Sequence, residues 1–204
     1  MIKSSTFLGC SYKTLYRQGR KSRLLKRDAF YHNFLKHAKS SSWLSGIGKQ
    51  GKMRRSDKEI KDPGEIEAIL QVAQVCRIAM AEGDVPYIVP VNFAVSAGCL
   101  YFHCATSGRK IDMLRKNHTV CFEVDMPGEL VRGESACSWG MKYRSIIGFG
   151  QADFIEHAAE KKQALDILMK KYAGNDGFSY DDDQLDKVCV IGVRIDTISG
   201  KRSD

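Results

Sequence analysis

The chain has 204 residues, of which 43% are hydrophobic and 9% aromatic, and its formal net charge is +8. This composition is typical of a globular domain with a buried core, and it excludes a wholly disordered chain. No apolar run approaches the length that crosses a membrane, so no membrane partner is expected. The length suits one domain with an appended segment.

The positive charge is concentrated in the N-terminal quarter of the chain. Residues 1–52 contain twelve Lys and Arg against one acid, Asp28, whereas residues 53–204 contain twenty basic and twenty-three acidic residues. We therefore predict a basic, disordered extension over residues 1–52 and a single domain over residues 53–204. Because that domain is slightly negative, nucleic acid is an unlikely partner for it.

Three interpretations of the extension remain open. Its basic, acid-poor and Ser-containing composition suits an organellar targeting segment. Its charge alone would suit an arm that binds an anionic surface. The third interpretation is a dispensable segment with Met53 as the true start, and we favour it because the composition changes so sharply there.

Cysteine usage indicates the compartment. The chain has no CxxC motif and no Cys/His cluster with zinc spacing, so no metal site is predicted. The number of cysteines is odd and most of them lie in apolar runs, which favours free thiols in a reducing compartment, here the cytoplasm. They are Cys10, Cys76, Cys99, Cys104, Cys121, Cys137 and Cys189.

Hydrophobic periodicity predicts the first elements of the domain. Apolar residues recur at helical spacing from Ile66 to Ala73, with Pro63 in the first turn of the predicted helix. The elements predicted next are a strand at Cys76–Met80, a turn at Glu82–Asp84, a hairpin of Tyr87–Val95 with Cys99–Cys104, a helix at Arg109–Asn117 and a strand at Thr119–Asp125.

The second half of the domain continues this pattern. We predict a loop at Met126–Gly133, a long strand at Tyr143–Ile155, a helix over 158–172, an acidic loop at Ser179–Asp186 and a last strand at Lys187–Asp196. Gly148 and Gly150 within the long strand indicate a bend or a close backbone approach. About six strands with two or three peripheral helices predict a mainly β fold, an antiparallel barrel-like sheet.

The segment Ser107–Lys110, which joins the hairpin to the next helix, is a candidate anion site and is named the anion step. Ser107 can act as the N-cap of that helix, and Gly108 lets the backbone approach a ligand closely. Free N–H groups at the helix start, together with Arg109 and Lys110, suit a phosphate group. An ordinary capped helix with solvated cations is the alternative interpretation.

The strand before this step carries a single histidine, His103. If Ala97-Gly98 is a two-residue turn, Asn92 lies opposite His103; if the loop has three residues, Val91 does. Both registers remain open at this point. The imidazole is either structural or part of the site, and its position beside the anion step favours the site.

At the level of whole blocks, the sequence resembles a known family. The blocks are PYIVPVNFAV, LYFHCATSGRKIDMLRKNHTVCFEVD, ACSWGMKYRSIIGFGQADFIE and VRIDTISGK. They are similar to the nitroimidazole-resistance (Nim) branch of the pyridoxamine 5′-phosphate oxidase-like flavoproteins. The resemblance covers about Met53 to Lys201 and does not include the extension.

The resemblance implies an antiparallel split β-barrel that forms a homodimer with FMN at the subunit interface. His103 would be the catalytic residue over the flavin. The residues implied to bind FMN are Pro90, Val91, Asn92, Phe93, Phe102, His103, Ser107, Gly108, Arg109, Lys110 and Ser145. The Trp and Arg that true pyridoxamine-phosphate oxidases use near the C-terminus have no counterpart here, so a vitamin B6 substrate is not implied.

The activity implied by the resemblance is that of an FMN-dependent oxidoreductase with NAD(P)H as electron donor. Its substrate would be a small molecule, such as a nitroaromatic of the 5-nitroimidazole type. Because a flavin carries the redox chemistry itself, no metal and no acid–base dyad is required of the protein. The alternative function is a non-catalytic flavin or haem binder that acts as a carrier or sensor.

Overall fold

A computed structural model describes Leu44, residues 48–49, residues 53–175 and residues 177–204. The prediction of a disordered extension falls almost wholly outside these residues, and the domain boundary at residue 53 stays a prediction. In the described part of the chain, no helix is long and apolar enough to cross a membrane.

The described secondary structure is dominated by strands. The strands are β1 (Gly48–Lys49), β2 (Glu59–Ile60), β3 (Cys76–Glu82), β4 (Val85–Val91), β5 (Ala94–Ser96), β6 (Cys99–Cys104), β7 (Thr119–Val131), β8 (Gly140–Ile155) and β9 (Cys189–Ser203). The helices are α1 (Pro63–Val72), α2 (Arg109–Lys116), α3 (Ala158–Ala173) and α4 (Asp182–Asp186), with two single turns at Ser56–Lys58 and Ala136–Ser138.

The strands form one sheet in the order β4-β3-β7-β8-β9-β6-β5, and every pair along this path is antiparallel. Strand β9 is long enough to pair with β6 over its first half and with β1 and β2 over its second half. The predicted mainly β, antiparallel fold is therefore confirmed.

The two edges of this sheet meet at one corner. Strands β4 and β5 lie at opposite ends of the order, yet only Asn92 and Phe93 separate them in sequence. Three Cα–Cα steps span at most about 11 Å, so the sheet must curl until its edges approach each other. No ladder pair joins β4 to β5 among the described strands. The sheet is a barrel left open along one seam, which is a split β-barrel.

The predicted hairpin turn is confirmed. Ala97 and Gly98 form a two-residue turn with φ of +50° and +79°, and Ser96 pairs with Cys99 across it. Positive φ at both turn positions is the geometry that matches the right-handed twist of the flanking strands.

The rest of the predicted hairpin is wrong. The chain breaks at residues 92–93, and Val91 pairs with Cys76 of β3 instead of returning along β6. The sheet partner of His103 is Val190 of β9. Neither proposed register therefore places Asn92 or Val91 opposite His103, because the segment before the corner belongs to the other edge of the sheet.

Two further predictions need correction at strand ends. The predicted loop Met126–Gly133 is largely strand, because β7 resumes pairing with β8 after a register shift between Met126 and Glu129. The predicted acidic loop contains α4, whose first turn is capped by the Asp181 side chain accepting from Gln184 N–H at 2.7 Å. The other helices and strands are confirmed, although β9 runs on to Ser203.

The core fills the barrel, and its packing explains why β8 has a glycine at position 148. The largest fully buried side chains include Phe93, Phe102, Phe122, Leu100, Ile146 and Ile191. A Cβ at Gly148 would lie 2.2 Å from the Phe122 ring, so only glycine lets that ring pack against β8. The predicted close approach at Gly148 is confirmed.

Tyr172 of α3 holds the corner between the two edges. Its hydroxyl accepts a hydrogen bond from Phe93 N–H at 2.8 Å and donates to the Gln74 carbonyl at 2.6 Å, with the Phe93 carbonyl 3.0 Å away. Phe93 lies at the break between β4 and β5, where its N–H has no partner in a strand ladder. The Tyr172 hydroxyl accepts the hydrogen bond from this N–H instead.

The neighbouring residue Lys171 covers the same corner. Its ammonium lies 3.5 Å from the centroid of the Phe93 ring and donates to the Leu70 carbonyl at 2.9 Å. Partial burial lowers the pKa of Lys171 to about 8. Helix α3 therefore fastens the corner through two consecutive side chains.

We expect Tyr172→Phe to lower the free energy of unfolding by about 1–3 kcal/mol, because it leaves polar backbone groups at the corner without their partner. Urea denaturation monitored by circular dichroism measures this loss. The control is Tyr143→Phe on β8, which keeps the ring that lies under Lys58 and Lys201. An equal effect of the two substitutions would contradict the role assigned to the Tyr172 hydroxyl.

Candidate functional site

The step from β6 into α2 has an unusual backbone. Gly108 is the N-cap of α2 with φ of +119°, a conformation that only glycine adopts without strain. The prediction that Ser107 caps this helix is wrong, since the helix begins one residue later and has no side-chain cap. The first N–H groups of α2 are therefore left for another acceptor.

Two cations flank this helix start and stack on aromatic rings. The Arg109 guanidinium lies 4.5 Å from the centroid of the Tyr87 ring, and the Lys110 ammonium lies 5.5 Å from that of Phe102. Cation–π contacts hold both heads near the sheet. The step thus carries two positive charges at the positive end of the helix dipole.

The far end of α2 is fixed to β3. Lys116 forms an ion pair with Glu82, and the Asn117 side-chain amide donates to the Ala81 carbonyl at 3.1 Å. Glu82 also begins the predicted turn into β4, so α2 lies beside the start of β4. This is why Arg109 reaches Tyr87.

His103 lies close to the anion step. The residue is exposed, and its neighbour across β9, Val190, is fully buried. Nearby protein atoms partly desolvate the imidazole and lower its pKa, and the positive charge of Lys110 lowers it further. His103 is therefore held mainly in its neutral form at neutral pH.

Strand β4 offers a free edge beside these groups. Among the described strands it pairs with β3 alone, and it carries Pro86 and Pro90, which cannot donate to a neighbouring strand. Pro90 is exposed, as is Asn92, whose amide donates to the Gln74 carbonyl at 3.4 Å. Backbone groups along this edge can bind the rim of a flat heterocycle.

Three of the residues proposed to line the ligand turn their side chains into the core. Val91, Phe93 and Phe102 are buried. Any contact they make with a ligand must come from the backbone, and the Phe93 N–H already donates to the Tyr172 hydroxyl. Their assignment to the site stays a prediction.

Ser145 lies apart from the other predicted site residues. Pairing across the sheet runs from Pro90 through Arg77 and Glu123 to Ile147, two residues from Ser145 on β8. Three strand spacings correspond to about 14 Å, so within one chain Ser145 does not reach the edge of β4.

Sequence reasoning missed two residues of the site. Tyr87 was read only as part of a strand, although it supports Arg109, and Tyr172 only as an apolar helix position. The single aromatic side chain in the Tyr87–Val91 run is the signal that could have suggested Tyr87. The role of the Tyr172 hydroxyl depends on a contact across 79 residues and leaves no local signal.

The geometry defines a split-barrel protein with a candidate anion site, at Gly108–Lys110, beside its edge strand. The chain belongs to the pyridoxamine 5′-phosphate oxidase family, whose model matches residues 62–202. No match was found among curated proteins.

Solved structures agree with this assignment. A candidate 5-nitroimidazole antibiotic resistance protein from Bacteroides thetaiotaomicron is 36% identical, with a TM-score of 0.64 over 71% of this chain and 86% of that one. This similarity supports the resemblance to the Nim branch.

Two more distant structures share the fold. The flavocytochrome Anf3 from Azotobacter vinelandii has a TM-score of 0.65 at 20% identity, over 75% of this chain and 72% of that one. A protein from Mycobacterium smegmatis that binds FAD and haem has a TM-score of 0.66 at 19% identity, over 72% of this chain and 74% of that one.

Proposed function

We propose that this protein binds FMN and works as an NAD(P)H-linked oxidoreductase on small nitroaromatic compounds such as 5-nitroimidazoles. The observation that carries the proposal is the anion step at Gly108–Lys110 beside the free edge of β4. The 36% identity with the Bacteroides protein supports the substrate class.

The residues present fit FMN in charge and in shape. The uncapped start of α2, with Arg109 and Lys110, supplies N–H donors and positive charge for a phosphate. At about 3.3 Å per residue, the edge of β4 extends roughly 10 Å from Tyr87 to Pro90 and roughly 17 Å from Tyr87 to Asn92. This length suits a phosphate-tailed ring that lies along the strand. Bound FMN would supply the two-electron redox chemistry.

In this arrangement the protein contributes placement and a proton. Arg109 and Lys110 hold the phosphate, and the backbone edge of β4 orients the ring. His103 binds the substrate beside the ring and exchanges a proton with it at an imidazole nitrogen. Because its pKa is lowered, protonated His103 is a stronger acid than an ordinary histidine, which favours proton transfer to a reduced substrate.

We expect the double substitution Arg109→Gln/Lys110→Gln to weaken FMN binding by at least about 100-fold, since each charge-assisted contact contributes roughly 1.5–3 kcal/mol. Fluorescence quenching of added FMN measures the dissociation constant. The control, Lys162→Gln/Lys187→Gln, removes the same charge outside the step. Unchanged FMN affinity in the first variant would overturn the cofactor assignment.

Turnover is tested separately with His103→Gln. Oxidation of NAD(P)H with a 5-nitroimidazole as acceptor should fall by about 100-fold, while FMN affinity stays close to that of the parent protein. Equal activity would remove His103 from the mechanism. A parent protein that binds FMN but oxidises no NAD(P)H would instead support the non-catalytic binder.

We further propose that the protein is a homodimer with FMN at the interface. The outer face of β4, β3, β7 and β8 exposes Ile88 (57%) and Ile147 (40%) around the Arg77–Glu123 ion pair. A second copy of this chain would cover these side chains. It would also bring its Ser145 to the flavin, which the Ser145 of the same chain does not reach.

We expect Ile147→Glu to convert the dimer to a monomer, because it places a charge at the centre of this face. Sedimentation equilibrium should give the 22.9 kDa chain mass for the variant and twice that for the parent. Val72→Glu, at a 64% exposed position on α1, is the control and should remain a dimer. A monomeric parent protein would reject this proposal.

A further inference from the structure

Two half-buried cysteines face each other at one end of the barrel. Cys104 is the last residue of β6 and Cys189 is the first residue of β9, and they are direct partners in the antiparallel ladder. On β6, Cys104 follows Leu100 and Phe102 on the core-facing side, but unlike them it is only half buried. Both thiols are free.

The register brings the pair within reach of a disulfide. Ile195 N–H donates to the Gly98 carbonyl at 3.0 Å, which marks these two residues as a hydrogen-bonded pair. Such pairs recur at every second position along an antiparallel ladder, so Cys104 and Cys189, six positions further on, form another. The Cα atoms of such a pair are about 5.5 Å apart, within the disulfide range of roughly 4.4–6.8 Å. The two Cβ atoms, about 5.5 Å apart in such pairs, must approach by about 1 Å to reach the roughly 3.5–4.5 Å of a disulfide, which makes the bond more easily reduced.

The surroundings favour a thiolate at Cys104. Hydrogen bonding with the neighbouring Cys189 thiol lowers the pKa of Cys104, and the positive charge of Lys110 lowers it further, against a partial cost of burial. The same bond raises the pKa of Cys189, which remains a thiol. The two groups therefore share one proton, with Cys104 as the nucleophile.

Other described cysteines lack this environment. Burial raises the pKa of Cys76 and of Cys99 to about 12, and it also raises that of Cys121. These thiols are protonated at neutral pH and react slowly.

We propose that Cys104 and Cys189 are a redox-active dithiol that hydrogen peroxide converts to a reversible intramolecular disulfide. The Cys104 thiolate attacks one peroxide oxygen, the O–O bond breaks, and one proton is taken up, giving a sulfenic acid and water. The Cys189 thiol then attacks the Cys104 sulfur and releases a second water. Two thiols are oxidised by two electrons, and one peroxide is reduced to two waters.

The test uses the full chain, reduced, desalted and exposed to a small molar excess of hydrogen peroxide. After alkylation and digestion, mass spectrometry should show a linked pair of peptides containing Cys104 and Cys189, 2 Da lighter than the two thiol peptides together. Dithiothreitol should restore both thiols. Oxidised protein without this linked pair, or with Cys137 or Cys121 joined instead, would overturn the proposal.

Single substitutions distinguish Cys104, which attacks the peroxide, from Cys189, which then forms the disulfide. Cys189→Ser should stop the reaction at a Cys104 sulfenic acid, which dimedone traps, whereas Cys104→Ser should show no trapped product. Cys121→Ser is the matched control and should form the disulfide like the parent. Trapping of dimedone at another cysteine in the Cys189→Ser protein would contradict Cys104 as the nucleophile.

The pH dependence gives a second readout. Alkylation of Cys104 by iodoacetamide should have its midpoint at a lower pH than that of an ordinary thiol and should slow below it, because the thiolate is lost. Cys189→Ala removes the hydrogen-bond donor and should move the midpoint upward, towards that of an ordinary thiol. A midpoint unchanged by this substitution would contradict the shared proton.

Discussion

The structure depends on the corner at Asn92 and Phe93. There the chain leaves one edge of the sheet and enters the other, so two residues determine that the sheet curls into a barrel. A break of this kind leaves backbone groups without strand partners, and unpaired backbone groups are costly when buried. The Tyr172 hydroxyl, supplied by a helix far along the sequence, provides the missing partner.

The same corner determines where the candidate site lies. Because β4 ends at the corner, β3 is its one partner among the described strands, and none of those strands pairs with its other edge. Helix α2 is fixed beside the beginning of this strand, where Arg109 lies over Tyr87. The candidate anion site and the edge of β4 thus lie side by side as a consequence of one topology.

Lys110 connects the groups around the step. Its charge lowers the pKa of both His103 and Cys104, and its ammonium lies over the Phe102 ring. A thiolate at Cys104 partly offsets this charge, whereas a disulfide would not. If the proposed disulfide forms, oxidation of the cysteine pair would therefore change the electrostatic potential around Lys110.

The sequence by itself determined most of the elements, the mainly β class and the composition of the anion step. Helical spacing behind Pro63, alternation of apolar residues in β3, and the Gly108-Arg109-Lys110 run are local signals that need no knowledge of the fold. The two-residue turn at Ala97-Gly98 was also readable, since such turns follow from neighbouring residues. The family resemblance, confirmed over residues 62–202, added the split barrel.

Only the tertiary structure decided which strands are neighbours. It separated β4 from β6, moved the helix cap from Ser107 to Gly108, and placed Cys104 opposite Cys189 and Ser145 away from β4. Residues adjacent in sequence can pair with strands on opposite sides of a barrel, and a helix distant in sequence can satisfy the break between them. Such contacts result from closing a sheet on itself, which no local pattern of residues encodes.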